Sequence, residues 1–172
     1  MSDHDHEGHE CSVCSMEGTL EERKARYWEG LNEKIAKYGH AVIGVIGGND
    51  SFFYTIGADE FGAEMIVFGS LDGQAILNDL VEKMKERGGR FEDGEVVKLG
   101  DGTAKFGVKL IRASFKKAAG KYTFQANRYW QEKGMQEYSI IEVLVPDKNG
   151  VYPDEPGCSP PYSNQPLLLE TN

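Results

Sequence analysis

The chain has 172 residues, long enough for one domain that buries roughly 70% of its unfolded surface, and its 28 Asp and Glu outnumber 19 Lys and Arg to give a net charge of −9. The basic residues are scattered among acids, so no cationic stripe exists to displace counterions and direct nucleic-acid binding is disfavoured. The longest apolar runs, AVIGVIGG and IIEVLVP, fall well short of the ~20 residues of a membrane span, and the acidic start lacks the basic-then-apolar layout of a signal peptide, so a cytoplasmic protein is expected.

Residues 1–18 read as an acidic leader rich in His and Cys, containing HDHEGHECSVC at 4–14. The three cysteines, Cys11, Cys14 and Cys158, are an odd number without a secretory signal, which points to thiols or metal ligands rather than a disulfide framework. Cys11 and Cys14 at CxxC spacing can chelate one metal through a tight turn, and His6 and His9, with His4 nearby, can complete a tetrahedral zinc shell. Two other readings stay open. Structural zinc sites usually join two separated ligand pairs, and Asp3, Asp5, Glu7 and Glu10 keep this segment solvated, as in a ligand-rich tail. A thiol redox pair is the third, although such a pair normally opens a helix behind a strand.

The domain proper is expected over 19–172. T-L-E-E opens it as a capping box, Thr19 being the N-cap and Glu22 the residue reaching back. Tyr27, Leu31, Ile35 and Tyr38 recur at helical spacing, Gly39 is a stop, and a helix over 20–38 follows. AVIGVI at 41–46 and SFFYTIG at 51–57 read as a hairpin around Gly47, Gly48, Asn49 and Asp50. EMIVFG at 64–69 is a third strand. Asp72 then begins a helix with Ile76, Leu77, Leu80, Val81 and Met84 on one face, ended by Gly88 and Gly89.

Strands are expected at 95–99 and 105–113, a short helix at 123–132, and a last strand at 138–147 ended by Pro146 and a turn. Five of the six prolines lie beyond Val151, which predicts an extended C-terminal strap. Strands come in adjacent runs, so the expectation is a single α+β domain with a mixed or mainly antiparallel sheet and two to three flanking helices.

In that order the CxxC leader, Y-G-H-A-V-I-G-V, F-Y-T-I-G, the Glu opening E-M-I-V-F-G, I-L-N-D-L, V-P-D-K-N-G-V-Y-P and N-Q-P-L-L resemble the bacterial family called domain of unknown function 4262. The family implies a fold and a choice of residues but no settled activity. It usually carries a Gln-containing last strand where this chain reads IIEVLV, and Gly-Leu where it has Gly57-Ala58. The order of elements is also similar to the suppressor-of-fused type of interaction domain at the level of fold analogy.

The candidate ligand-binding set is Tyr54, Thr55, Glu64, Asn78, Asp147 and Gln165. Tyr54 and Thr55 lie on opposite faces of an apolar strand, where a core tyrosine with a satisfied hydroxyl is the default reading of Tyr54 and a ligand contact the alternative. Glu64 opens a strand whose next four residues are apolar, so its carboxylate either reaches solvent or flanks a pocket. Asn78 sits on an apolar helix face, where its amide must be bonded or cost ~1–3 kcal/mol. Asp147 begins a turn, and Gln165 precedes three leucines expected to dock. His40, the one histidine outside the leader, reads as a buried polar residue at a helix-to-strand junction or as a ligand.

These residues make the expected function a binding module for a polar small molecule, for example a sequestered nucleotide-type signal, or for a protein. One alternative is a zinc-dependent hydrolase with leader ligands and Glu64 as general base. Another is an immunity-like partner-binding protein of a bacterium or phage.

Overall fold

The computed structural model describes residues 16–47, 51–69 and 72–170. The proposed metal ligands His6, His9, Cys11 and Cys14, with His4, lie outside these described residues.

Local signals set the first helix, α1, Leu20–Tyr38. The Glu22 amide donates to Thr19 Oγ1 at 3.2 Å and the Thr19 amide to Glu22 Oε2 at 2.9 Å, which satisfies two N-terminal donors reciprocally. At the other end Gly39 takes φ 84° and its N–H meets the Ile35 carbonyl at 2.7 Å. Leu31 and Ile35 are buried, but Tyr38, read as part of the same stripe, is 55% exposed.

The expected hairpin forms from β1, Ala41–Val45, and β2, Phe52–Ile56, with Ala41 opposite Ile56. β3, Glu64–Phe68, pairs antiparallel with β2. α2, Gly73–Arg87, follows and ends at Gly88, although the Asp72 side chain makes no capping bond. β4, Glu95–Val97, and β5, Val108–Arg112, are shorter than expected.

The chain then makes α3, Phe115–Lys121, and α4, Phe124–Glu132, before β6, Ile140–Leu144. α3 was not legible in the sequence because it spans only seven residues with Gly120 near its end, a composition too weak to signal a helix by itself. Ser114 caps it, accepting the Lys117 N–H at 3.4 Å.

Among the described residues six strands form one mixed sheet in the order β1-β2-β3-β6-β5-β4, so the expected α+β class holds, with four helices. β3 and β6 pair in parallel, and everything from α2 to α4 lies in the crossover between them. The two faces of the sheet bury different residues. Phe52, Tyr54, Ile56 and Ile66 pack with Leu31, Ile35 and Trp130 of α1 and α4. Phe53, Met65 and Val67 pack with Leu77, Leu80 and Met84 of α2. This is the period-2 alternation of strands buried on both sides. α1 and α2 therefore flank the edge strand β1 from opposite faces.

Among the described residues no helix is long and apolar enough to cross a membrane.

Candidate functional site

The carboxylate of Glu64 is the hub of the interior. Its residue is 1% exposed. Oε1 accepts the Gly57 N–H at 2.7 Å and the Trp130 indole N–H at 2.8 Å, and Oε2 accepts the Thr55 hydroxyl and the Ala58 N–H, the latter at 3.3 Å. Thr55 Oγ1 in turn accepts the Met65 N–H at 2.9 Å. Burial pushes the Glu64 carboxyl up to about 7, while bonds from Thr55, Trp130 and Gly57 pull the other way. The sequence offered solvent or a pocket edge for this carboxylate. The structure encloses it and occupies both oxygens, tying β2, the turn at Gly57, β3 and α4 together.

Thr55 thus belongs with Glu64. Tyr54 points to the opposite face of β2, where its hydroxyl bonds the Gln125 side chain and accepts the Gln125 N–H at 3.3 Å. Its phenol is pushed well up by burial.

Asp147 and Gln165 serve the other end of β6. Asp147 accepts N–H groups from Asn149 at 2.9 Å, Val151 at 3.0 Å and Ser159 at 2.8 Å, and the Val151 bond leads in holding its carboxyl below the usual range. Gln165 bridges the Val145 backbone, accepting its N–H at 3.3 Å and donating to its carbonyl at 2.9 Å, as a neighbouring strand would. Three residues on, the Leu168 N–H reaches Glu142 Oε2 at 2.7 Å and Leu168 itself is 4% exposed. The segment after β6 is fastened to the sheet at these points.

Asn78 stands apart from all of these, with His40. His40 Nε2 and Asn78 Oδ1 are 2.8 Å apart, and they share a groove of about 590 Å³ at the β1 edge of the sheet. Lys34, Lys37 and Tyr38 of α1 form one wall, and Gln74, Asn78, Glu82 and Lys85 of α2 form the other. His40, Ala41 and Val42 make the floor. His40 is 7% exposed, and its second nitrogen, Nδ1, is buried without a hydrogen bond. The Asn78 contact at Nε2 fixes the orientation of the imidazole ring.

The hub and the groove are mechanically joined through Gly57. Gly57 has φ 94°, and a Cβ there would sit 2.9 Å from the Gly39 carbonyl oxygen and 3.4 Å from His40 Cα. Glu64 fixes the Gly57 amide, and Gly57 supports the Gly39-His40 corner. Glu64 thus lies one residue contact behind the corner that carries His40. Trp130, Gln125 and Lys34 complete these arrangements without any local sequence signal, since each acts across tens of residues or from an ordinary solvated helix face.

Among the described residues no group of three or more His, Cys, Asp or Glu side chains is placed to hold a metal ion. The zinc expectation rests on leader residues outside that region.

The family model described as Domain of unknown function (DUF4262) matches residues 34–159, most of the chain, and the chain belongs to that family. The match spans α1's last turn, His40, Asn78, Glu64 and Trp130. No curated protein and no solved structure matches the chain.

Proposed function

We propose that this member of the DUF4262 family is a binding module that takes a small polar molecule in the groove between α1 and α2. The carrying observation is the His40–Asn78 pair, which holds a buried imidazole at 2.8 Å and leaves Nδ1 without a partner. A buried polar atom left unpaired costs about 1–3 kcal/mol. A ligand donor that reached Nδ1 on a small shift of the groove floor would relieve that cost. The groove volume of about 590 Å³ suits a small-molecule site, for which ~300–1,000 Å³ is usual.

The lining favours binding over chemistry. No serine, threonine or cysteine is among the described residues around His40, so a hydroxyl or thiol nucleophile of the Ser–His or Cys–His kind is not among them. A hydrolytic use of Glu64 would require it to reach a metal-bound water, and its four donors hold it inside. The leader, with His6, His9, Cys11 and Cys14, is the metal-capable segment of this reading.

Protein-detected NMR against a library of small polar metabolites tests it. Hits should perturb the His40 and Asn78 resonances, and Asn78→Ala should weaken binding more than folding. Hits that map away from the groove, or affinity unchanged in Asn78→Ala, would reject the groove as the binding site.

A further inference from the structure

We infer that the groove's ligand is a free nucleoside monophosphate, an assignment that rests on the binding reading above. Three features on separate walls converge on one molecule. The first is charge. The chain carries a net −9, yet among the described residues the groove is lined by Lys34, Lys37 and Lys85 against the single acid Glu82. Lys85 is committed: its ammonium donates to the Tyr38 carbonyl at 2.9 Å and to Glu82 Oε1 at 2.8 Å, and lies 4.8 Å from the Phe61 ring centre. It therefore covers the carbonyl end of α1 and neutralises the local acid. Among the described residues Lys34 makes no ion pair or hydrogen bond, and Lys37 makes only a contact with the Tyr38 ring at 5.0 Å. Two ammonium groups, three positions apart on α1, remain for an anion.

The second feature is the Tyr38 ring. A large aromatic side chain 55% exposed at the rim of a polar groove is a stacking platform for a planar heterocycle. Lys34, Lys37 and Tyr38 fall on one face of α1 at i, i+3 and i+4, so an anionic group and a ring are met by the same wall.

The third is the facing wall. Gln74 and Asn78 are four apart on α2 and line the same groove as that ring. Asn78 Oδ1 is taken by His40, which leaves its NH₂ as a donor, and Gln74 offers both a donor and an acceptor. Amides of this kind pair with the donor and acceptor edge of a nucleobase. His40, held by Asn78, forms the floor beneath these amides. A polymer is disfavoured by the chain's overall negative charge, and the groove of about 590 Å³ lies in the small-molecule range.

Isothermal titration of the full untagged chain with AMP, GMP, CMP, UMP, their nucleosides and inorganic phosphate tests this. At least one monophosphate should bind, at least tenfold tighter than its own nucleoside and than inorganic phosphate. Lys34→Glu with Lys37→Glu should reduce that affinity to the nucleoside's level with an unchanged unfolding midpoint, since both side chains are exposed. Tyr38→Ala should weaken nucleotide and nucleoside alike. The inference is overturned if no monophosphate binds at millimolar concentration, if phosphate alone binds as tightly, or if the lysine reversal leaves affinity intact. Should the monophosphates fail while neutral polar molecules still perturb His40 and Asn78, the groove stands and the nucleotide falls. Should both fail, both readings fall.

Discussion

Trp130 Nε1 lies 2.8 Å from Glu64 Oε1, joining α4 to the first residue of β3 across 66 positions of sequence. The indole N–H can only donate, and so can the Gly57 and Ala58 amides, so the cage is built for an acceptor. Trp130→Phe keeps the ring and deletes one donor. A hydrogen bond to a charged group contributes roughly 1.5–3 kcal/mol, so chemical denaturation near pH 8, where Glu64 is ionised, should show a loss of about that size with the slope unchanged. Unchanged stability would mean that Glu64 does not depend on this donor.

Two buried carboxyls set the pH dependence. Burial pushes Glu64 and Glu142 each up to about 7 from an ordinary 4.5. Between those values the folded state holds protons that the unfolded state has lost. The stability these groups contribute is therefore full below about 4.5 and is lost as pH rises through about 7. Glu142 Oε1 is buried without a partner, so Glu142→Gln should flatten part of this slope and raise stability near pH 8 by on the order of 1–3 kcal/mol. Urea midpoints at pH 5, 6, 7 and 8 measure it, and parallel curves for parent and variant would contradict it.

Gly57 is required by its backbone. At φ 94°, with a Cβ predicted 2.9 Å from the Gly39 oxygen, Gly57→Ala meets both left-handed strain and a backbone clash. The strain alone costs ~1–2 kcal/mol. Thermal unfolding should fall accordingly, and the His40 ring resonances should shift because the corner that carries them moves. An unperturbed His40 would break the proposed link between hub and groove.

The C-terminal segment is fastened by Gln165 and Leu168. Leu168→Ala removes a side chain that is 4% exposed, and such truncations cost roughly 2–5 kcal/mol. Deleting residues 163–172 should lower the unfolding midpoint at least as far, because it also removes the Gln165 bridge to Val145. A midpoint equal to the parent's would show that the segment adds nothing to the fold.

For the leader, Cys11→Ser with Cys14→Ser should abolish bound zinc while leaving the unfolding midpoint in place, since the capping box begins later at Thr19. Metal content and stability are read on one untagged sample. Zinc retained by the double variant would exclude this cysteine pair as ligands.

The elements legible in the chain are those written locally. Thr19 and Glu22 close α1 three residues apart, Gly39 ends it, and the alternation of Phe52, Phe53, Tyr54, Thr55 and Ile56 sorts β2 into two buried faces. That suffices for a mixed α+β sheet and for singling out Glu64 and Asn78. It does not reveal what they face. Whether a carboxylate at a strand start meets water, a ligand or four donors depends on Trp130, 66 residues away, and the partner of Asn78 is a histidine 38 residues earlier. The six candidates divide among an interior hub, a groove, the far end of β6 and, for Tyr54, a separate contact with Gln125 of α4, because sequence spacing fixes the face a side chain takes but not the neighbour packed against it. Strand order decides that, and here β3 meets β6 only after α2, β4, β5, α3 and α4 have been folded around them.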